Sequence, residues 1–332
     1  GHASGGRAVL MLLAAPFHAE LAEGPEGACA FWIKAEDNLR LRIAQYPGPV
    51  EATGTVLLFP GRTEYVEKYG RVAAEFARHG FHTLTIDWRG QGLADRMLDD
   101  PRTGHVHLFA DYQKDVAALV KAAEALDLPR PFFLLGHSMG GCIGLRALMN
   151  GAPVAAAGFT GPMWGIRFTG PVRQAAWALS WSGARMGLGH AYAPSTGPGS
   201  YVAQAAFAGN LLTTDRGGWD YMRRQVEAIP ELQLGGPSLR WLHEALAECL
   251  ALSRLPSPDL PCLTFMGSNE RIVDVPRIRA RMARWPRGRL ELVQGGEHEV
   301  LMEDAVTRGR IVAQLAQVFT AAAAGAEDMR RA

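Results

Sequence analysis

Short apolar segments alternate with segments of helical periodicity along most of this chain of 332 residues. This alternation restricts the fold strongly, because apolar strands that alternate with helices predict a mostly parallel sheet covered by helices on both faces. The strand-like segments are 55–59, 81–88, 131–136, 154–160, 261–267 and 289–294. The helix-like segments are 65–79, 112–126 (with Asp111 as its predicted N-cap), 139–149, 239–252, 275–284 and 303–322. In such sheets, functional residues lie at the carboxyl ends of the strands.

The segment 163–236 interrupts this alternation. It is rich in Gly, Trp, Ala and Met, and it contains no paired strand and helix patterns. We therefore predict a mainly helical cap, inserted over the carboxyl edge of the sheet between the two parts of an α/β core, residues 28–162 and 237–332. The core is predicted to open with two strands in 28–46, joined by the turn-forming pair Asp37-Asn38.

Residues 1–27 are predicted to form an N-terminal segment outside the core. Gly1 to Gly6 resemble the remnant of an expression tag. The apolar run 9–15 follows a single charge, Arg7, and is short for a signal peptide, which stays the less favoured interpretation. At the other end of the chain, the last helix is predicted to fray in the alanine-rich stretch 321–324.

The charge balance argues against large anionic partners. The chain has 34 Lys and Arg and 33 Asp and Glu residues, which gives a formal net charge of +1. A value so near zero supplies no long-range attraction toward nucleic acid or an anionic membrane, and we predict no nucleic-acid partner. No run approaches the roughly 20 apolar residues of a membrane-spanning helix. We expect a cytoplasmic protein that at most contacts a membrane surface through its cap.

The four cysteines lie in apolar or small-residue stretches without the spacing of metal ligands; they are Cys29, Cys142, Cys249 and Cys262. Buried free thiols are the favoured interpretation, and they suit a reducing compartment. Because no cluster in the sequence has metal-ligand spacing, we predict no metal. We also predict no organic cofactor, because the chemistry inferred below needs none.

The segment Gly136-His137-Ser138-Met139-Gly140-Gly141 joins a predicted strand to a predicted helix. A sharp turn of this kind exposes a serine oxygen and directs the first free N–H groups of the helix toward a developing oxyanion. Side chains two residues before and after the serine would clash in so tight a turn, which explains the glycines there. We therefore predict that Ser138 is a nucleophile. His137 is predicted to pack in the core.

A serine on such a turn needs an acid and a base, which follow it along the chain in that order. Of the ten histidines, only His298 lies just past a late strand, in a glycine-rich loop, and it is the predicted base. His105 and His107 precede the serine and are expected near the rim of the pocket. Two carboxylates, Glu270 and Asp274, follow the preceding strand. Glu270 lies nearer the strand end and is favoured as the group that orients the imidazole.

Five motifs occur in an order that resembles a known family. They are Phe59-Pro60-Gly61-Arg62-Thr63-Glu64-Tyr65, Asp87-Trp88-Arg89-Gly90-Gln91-Gly92, Gly136 to Gly141, Gly267 to Asp274, and Gly295 to His298. Together they resemble the monoacylglycerol lipase and bacterial lysophospholipase branch of the α/β-hydrolases, over residues 28–318. The segment 232–242, with Gly235-Gly236-Pro237 and Trp241, is similar to the lysophospholipase members in particular.

This resemblance implies an α/β-hydrolase fold and a catalytic triad of Ser138, His298 and Glu270. The family more often has Asp at the position of Glu270, but lysophospholipase members can carry Glu there. The resemblance also implies an oxyanion hole formed by the backbone N–H groups of Arg62 and Met139. The family commonly has His where Pro60 stands, and backbone donors do not depend on that side chain.

The implied activity is hydrolysis of a fatty-acyl ester of a single-chain lipid, a lysophospholipid or a monoacylglycerol, through an acyl-enzyme on Ser138. Apolar side chains of the cap are expected to line a tunnel for the acyl chain. Three arginines, Arg62, Arg167 and Arg173, are candidates to meet a phosphate head group.

Two alternatives stay open at this point. The first is another hydrolase on the same fold: a thioesterase, a carbon–carbon bond hydrolase or an aminopeptidase. An aminopeptidase would need cap carboxylates to bind the ammonium group of its substrate, and the candidates are Asp215, Asp220, Glu227 and Glu231. The second is a non-catalytic binding protein that keeps the fold, against which an intact triad argues.

Overall fold

The computed structural model describes residues 12–332. The predicted tag remnant at Gly1 to Gly6 and the start of the apolar run 9–15 lie outside the described residues. The rest of that run forms a short edge strand, Leu13–Ala15, which pairs antiparallel with the next strand.

The described strands form one sheet. They are β1 (Leu13–Ala15), β2 (Cys29–Lys34), β3 (Arg40–Tyr46), β4 (Gly54–Phe59), β5 (Phe81–Asp87), β6 (Phe132–His137), β7 (Ala157–Thr160), β8 (Cys262–Gly267) and β9 (Gly288–Val293). Their order across the sheet is β1-β2-β3-β5-β4-β6-β7-β8-β9. The strands from β4 to β9 run parallel to one another, whereas β1, β2 and β3 form an antiparallel edge. The predicted mostly parallel sheet is confirmed.

Helices precede, connect and follow the parallel strands. They are α1 (Ala19–Ala22), α2 (Gly70–Arg78), α3 (Tyr112–Ala125), α4 (Met139–Met149), α5 (Gly170–Arg185), α6 (Tyr201–Gln204), α7 (Arg216–Ala228), α8 (Leu239–Ser253), α9 (Val275–Ala283) and α10 (Ala305–Arg331). The helices from α2 to α9 lie between consecutive strands from β4 to β9, whereas α1 precedes β2 and α10 follows β9. Short 3₁₀ turns occupy Val66–Tyr69, Phe109–Asp111, Pro230–Leu232 and Val300–Met302.

Four sequence predictions about element bounds are wrong in detail. The segment 65–79 is a 3₁₀ turn followed by α2, and β7 begins at Ala157 rather than at 154. The helix α10 continues to Arg331 instead of fraying at 321. Asp111 does not cap α3, because its own backbone is helical. Its carboxylate accepts the N–H of Leu108 and so caps the preceding turn.

The buried strands send alternate side chains to two apolar layers. In β4, Leu57 and Phe59 belong to the layer that includes α3, α4 and α8. Val56 and Leu58 belong to the layer that includes α2 and α10. Within this second layer, the rings of Phe133 and Phe319 stack with centroids 4.8 Å apart. Helices therefore cover both faces, as predicted.

Between β7 and β8 the chain is helical, from α5 through α8, and residues 161–261 contribute no strand to the sheet. The four cysteines are free, and all except the half-buried Cys29 are buried. In the part of the chain that the structure describes, no helix combines the length and the apolar character needed to cross a membrane.

Candidate active site

Ser138 lies on the turn between β6 and α4. Its backbone has a φ of 53° and a ψ of −118°, which is unusual for a residue with a side chain and indicates a strained turn. A Cβ on Gly136 would lie 2.6 Å from the carbonyl oxygen of Gly140, and a Cβ on Gly140 would overlap the carbonyl oxygen of Phe59. Only glycine fits at these two positions, so the sequence can form this turn.

His298 and Glu270 reach Ser138 from two loops at the carboxyl edge of the sheet. His298 follows β9, and its Nε2 lies 2.9 Å from the Oγ of Ser138. Glu270 follows β8, and its Oε1 lies 2.6 Å from the Nδ1 of His298. An ionised carboxylate only accepts hydrogen bonds, which assigns the proton to Nδ1 and leaves Nε2 free to accept the hydroxyl proton of Ser138.

Glu270 is held as a carboxylate. Burial opposes the charged form, but the charge of His298 and hydrogen bonds outweigh it and lower the pKa of Glu270. Its Oε2 accepts the backbone N–H of Ile272 at 2.9 Å. Asp274, the alternative acid, lies elsewhere: it caps α9, and its Oδ2 lies 2.9 Å from a nitrogen of Arg173. The structure therefore brings Glu270, and not Asp274, to His298.

The loop after β4 approaches Ser138 closely. A Cβ on Gly61 would lie 3.2 Å from the Cβ of Ser138. Buried side chains fix this loop: Trp88 donates to the carbonyl of Pro60 at 2.8 Å, and Gln91 donates to the carbonyl of Gly61 at 2.8 Å. Sequence reasoning had assigned these two residues no role, although both belong to the quoted motif 87–92.

The backbone N–H groups of Arg62 and Met139 stand free beside Ser138. Among residues 12–332, neither N–H has a hydrogen-bond acceptor. Both residues line one cavity together with Ser138. The N–H of Met139 belongs to the first turn of α4, where the helix dipole favours negative charge. Two free donors in this position suit an oxyanion.

Two cavities meet at Ser138. One has a volume of about 480 Å³ and is mostly apolar; its lining includes Met139, Met163, Ile166, Phe168, Leu179 and Leu242. The other has a volume of about 730 Å³ and is more polar; its lining includes Lys68, His137, Thr196, Gln204, Gln233 and Glu299. We call them the apolar cavity and the polar cavity. Six residues line both cavities: Arg62, Ser138, Ser195, Thr196, Pro237 and Ile272.

A buried ionic cluster, formed by Glu64, Lys68, His137 and Glu299, borders the polar cavity behind His298. The Nζ of Lys68 lies 2.7 Å from Glu64 Oε2 and also contacts Glu299. His137 Nε2 lies 3.4 Å from Glu299 Oε1. Three of these residues are types that bind metals, but the ammonium of Lys68 already supplies a positive charge among them.

The cluster changes the expected role of His137. Its ring does pack, with its centroid 5.0 Å from that of His298. Burial opposes its charged form, but Glu64 and Glu299 outweigh this and raise the pKa of His137. The sequence predicted packing alone. The carboxylates that surround this ring come from two distant segments, which no local pattern joins.

The two histidines expected near the rim of the pocket, His105 and His107, do not contact Ser138. The Nδ1 of His105 lies 2.7 Å from the hydroxyl of Ser238, and burial next to His190 and His107 lowers the pKa of His105 to about 4. His107 is exposed. Neither residue lines the two cavities.

The cap carboxylates considered for an aminopeptidase also lie away from both cavities. Asp215 caps α7. Asp220 and Glu227 pair with arginines on the same helix, and Glu231 is exposed.

The model of the family described as "Serine aminopeptidase, S33" matches residues 50–305. The chain belongs to this family. Its sequence is also 33% identical to lysophospholipase L2 of Escherichia coli strain K12 over 263 residues, which is 76% of each chain. Probable lysophospholipase L2 of Haemophilus influenzae is 29% identical over 284 residues, 85% of this chain and 88% of that protein.

Solved structures share the fold of this family member. A soluble variant of monoglyceride lipase from Saccharomyces cerevisiae superposes with a TM-score of 0.67 at 20% identity, and the match covers 86% of this chain and 92% of that one. A carboxyl esterase from Bacillus coagulans gives a TM-score of 0.68 at 15% identity, covering 89% and 99%. The predicted α/β-hydrolase fold is confirmed.

Proposed function

We propose that the protein is a serine carboxylic-ester hydrolase that cleaves the fatty-acyl ester of a single-chain lipid, a lysophospholipid or a monoacylglycerol. One observation carries the proposal: Ser138, His298 and Glu270 form a connected hydrogen-bonded chain at the junction of an apolar and a polar cavity. The names of relatives, lysophospholipase L2 and monoglyceride lipase, support the same substrate class.

The proposed reaction has two steps. Ser138 attacks the ester carbonyl while His298 takes the hydroxyl proton, and the carbonyl oxygen becomes an oxyanion held by the N–H groups of Arg62 and Met139. The carbon–oxygen bond to the alcohol then breaks, and His298 gives its proton to the departing alkoxide. Water, deprotonated by His298, then attacks the carbonyl of the acyl-enzyme; the bond from this carbon to the Oγ of Ser138 breaks, His298 returns the proton to that oxygen, and the fatty acid leaves. Glu270 orients His298 and stabilises the imidazolium.

The two cavities divide the substrate between them. We propose that 163–236 acts as a cap, since residues of α5 such as Ala176 and Leu179 line the apolar cavity. An acyl chain suits this cavity, because burial of each methylene contributes about 0.8 kcal/mol. The polar cavity suits the glycerol part of the substrate. One apolar cavity beside the serine favours a substrate with one acyl chain.

We also propose that the cap contacts a membrane surface and that the protein is cytoplasmic. Exposed apolar side chains cluster on and after α5; they are Val172, Leu179, Trp181, Met186 and Leu188. The helix carries Arg173 and Arg185 but no acidic residue. Such a face suits an interface with anionic lipid, because the two arginines give α5 a local positive charge although the net charge of the whole chain is only +1. Four free cysteines suit a reducing compartment. Replacing Trp181 and Met186 with Ser should reduce co-sedimentation with anionic vesicles.

The proposed activity is tested with a panel of substrates and identification of the products by mass. The panel contains a lysophospholipid, a monoacylglycerol, aryl esters of increasing chain length, and aminoacyl amides. We expect release of fatty acid from the two lipids, and loss of activity by at least about 10⁴-fold in Ser138→Ala and in His298→Ala. A fluorophosphonate should label Ser138. Cleavage of only the amides, or an unlabelled Ser138, would contradict the proposal.

A further inference from the structure

The side chain of Arg62 is half-buried and has no carboxylate partner among the described residues. Its Nη1 donates to the carbonyl oxygen of Gly235 at 2.8 Å, and its guanidinium carbon lies 5.7 Å from the ring centroid of Trp241. Among residues 12–332, its Nε and Nη2 have no hydrogen-bond acceptor, and no carboxylate lies within salt-bridging distance of the guanidinium. Two donor-bearing nitrogens are therefore available to a ligand.

Two buried arginines of this protein, Arg42 and Arg89, are neutralised by carboxylates, whereas the buried Arg281 has no carboxylate partner among the described residues and donates instead to the carbonyls of Leu252 and Leu255 and to the hydroxyl of Ser257. Arg42 lies between Glu67 and Asp87, and Arg89 lies between Asp37 and Asp115. Burial without a compensating carboxylate lowers the pKa of Arg62 to about 10. A desolvated cation without a counter-ion is costly. An anion bound next to Arg62 would remove this cost, and a guanidinium matches phosphate geometry through two parallel hydrogen bonds.

Arg62 lies close to the groups that carry out the proposed reaction. Arg62 lines both cavities with Ser138, and its backbone N–H is a proposed oxyanion donor. The carbonyl of Gly235, which its guanidinium contacts, belongs to a residue of the polar cavity. The arginine side chain is similar in length to the glycerol bridge that separates an acyl ester from a phosphate on the far carbon. A single residue can therefore reach both groups of a lysophospholipid.

We infer that the guanidinium of Arg62 binds the phosphate of a lysophospholipid head group, so that Arg62 determines a preference for lysophospholipids over monoacylglycerols. This inference rests on the proposed function, since it concerns the substrate of the same site. The other two candidate arginines are engaged elsewhere: Arg173 pairs with Asp274, and Arg167 donates to the carbonyl of Glu270 at 3.4 Å.

The test compares substrates that share one acyl chain. Palmitoyl lysophosphatidylcholine, palmitoyl lysophosphatidic acid and monopalmitoylglycerol are hydrolysed in mixed detergent micelles by the unchanged protein and by Arg62→Met and Arg62→Lys. We expect Arg62→Met to lower the ratio of kcat/KM for each phosphate-bearing lipid to that for monopalmitoylglycerol by about 10- to 100-fold. Arg62→Lys, which keeps the charge but not the paired donors, should lower this ratio less.

The matched control is Arg78→Met, at an exposed position of α2 and outside both cavities, which should leave the ratio unchanged. Equal losses for all three substrates in Arg62→Met would overturn the inference, because Arg62 would then act only through its loop. A loss confined to the choline lipid would also overturn it, since the ammonium group would then be the recognised feature.

A second measurement needs no variant. In the unchanged protein, a hexadecyl ether of glycerophosphocholine should inhibit hydrolysis of monopalmitoylglycerol more strongly than hexadecylglycerol does. Equal inhibition by the two ethers would contradict the inference, and inhibition by inorganic phosphate without this preference would indicate a site for a free anion instead. If monopalmitoylglycerol is hydrolysed without any preference for phosphate, the inference fails and the proposed function stands. If no ester is hydrolysed, the proposed function fails as well.

Discussion

Glu64 accepts a hydrogen bond from the backbone N–H of Gly61, with its Oε1 2.5 Å from that nitrogen. This bond fixes the Pro60–Gly61 peptide, which directly precedes the peptide that carries the N–H of Arg62, one of the two proposed oxyanion donors. The other carboxylate oxygen of Glu64 lies 2.7 Å from the Nζ of Lys68. The buried ionic cluster therefore holds the loop that faces Ser138, and we interpret Glu64 as a positioning residue.

Removal of the Glu64 carboxylate should misplace the oxyanion donor. We expect Glu64→Ala to lower kcat for a short-chain aryl ester by about 10²-fold, the scale of one lost oxyanion-hole donor. Glu64→Gln keeps an acceptor for the N–H of Gly61 and should lower kcat much less. Equal kcat values in the two variants would show that the bond to Gly61 does not matter, and a thermal unfolding curve of each separates misfolding from misplacement.

Of the two carboxylates that follow β8, removal of Glu270 should lower kcat, whereas removal of Asp274 should lower the unfolding free energy. Glu270→Ala leaves the Nδ1–H of His298 without its carboxylate, and we expect kcat to fall by about 10³- to 10⁴-fold. Asp274→Ala removes the N-cap of α9, so it should cost about 1 kcal/mol of unfolding free energy and change kcat little. Steady-state kinetics and denaturant titration of both variants decide the question, and the reverse pattern would move the acid role to Asp274.

The positions of the parallel strands along the chain and the helices on both faces could be predicted from the sequence, because buried strands and amphipathic helices have local periodicities. The placement of β5 outside β4 in the sheet could not, because it depends on pairing between distant segments. The ends of elements were less predictable. Competing local contacts and strand pairing decide them: the carboxylate of Asp111 bonds to the turn before α3 instead of capping the helix, and the edge strand Leu13–Ala15 exists only through its pairing with β2. The three residues of this strand, which precede Pro16, show no alternation of apolar and polar residues that would predict a strand.

The site was predictable where one turn or one loop carries the signal. The glycines around Ser138 and the glycine-rich loop of His298 are such local signals. The short distance between the side chains of Ser138 and His298 agrees with the prediction of a nucleophile and its base. The buried ionic cluster was not predictable, because Lys68 and Glu299 are separated by 231 positions. The charge of Arg62 was visible in the sequence, but its lack of a carboxylate partner depends on the whole fold.

The buried carboxylates should make the stability of the protein depend on acid pH. Burial opposes the charged form of Glu299, but Lys68 and His137 outweigh it and lower the pKa of Glu299 well below its ordinary value of 4.5. Its folded-state pKa is therefore below its unfolded-state pKa. The stabilisation that it contributes is present above pH 4.5 and is lost as the pH falls toward the folded-state pKa.

Glu299→Gln should therefore lower the unfolding free energy near neutral pH and reduce its dependence on pH on the acid side of 4.5. Denaturant titrations from about pH 7 down to about pH 3 measure both quantities. Glu227→Gln is the matched control, because the exposed pair of Glu227 with Arg223 should contribute little at any pH. An unchanged acid dependence in Glu299→Gln would mean that this carboxylate does not stabilise the fold.

The length of the apolar cavity should set the preference for acyl chains. Ala176 of α5 lines this cavity, whereas Ala178 of the same helix is exposed and does not. A phenylalanine at position 176 would occupy space that the distal methylenes of a long chain need, and each displaced methylene forfeits about 0.8 kcal/mol. We expect Ala176→Phe to lower the ratio of kcat/KM for a palmitoyl ester to that for a butyryl ester by about 10- to 100-fold, and Ala178→Phe to leave it unchanged. An unchanged ratio in Ala176→Phe would place the acyl chain outside the apolar cavity. The assignment of the two cavities would then be reversed, with the head group in the cavity lined by α5.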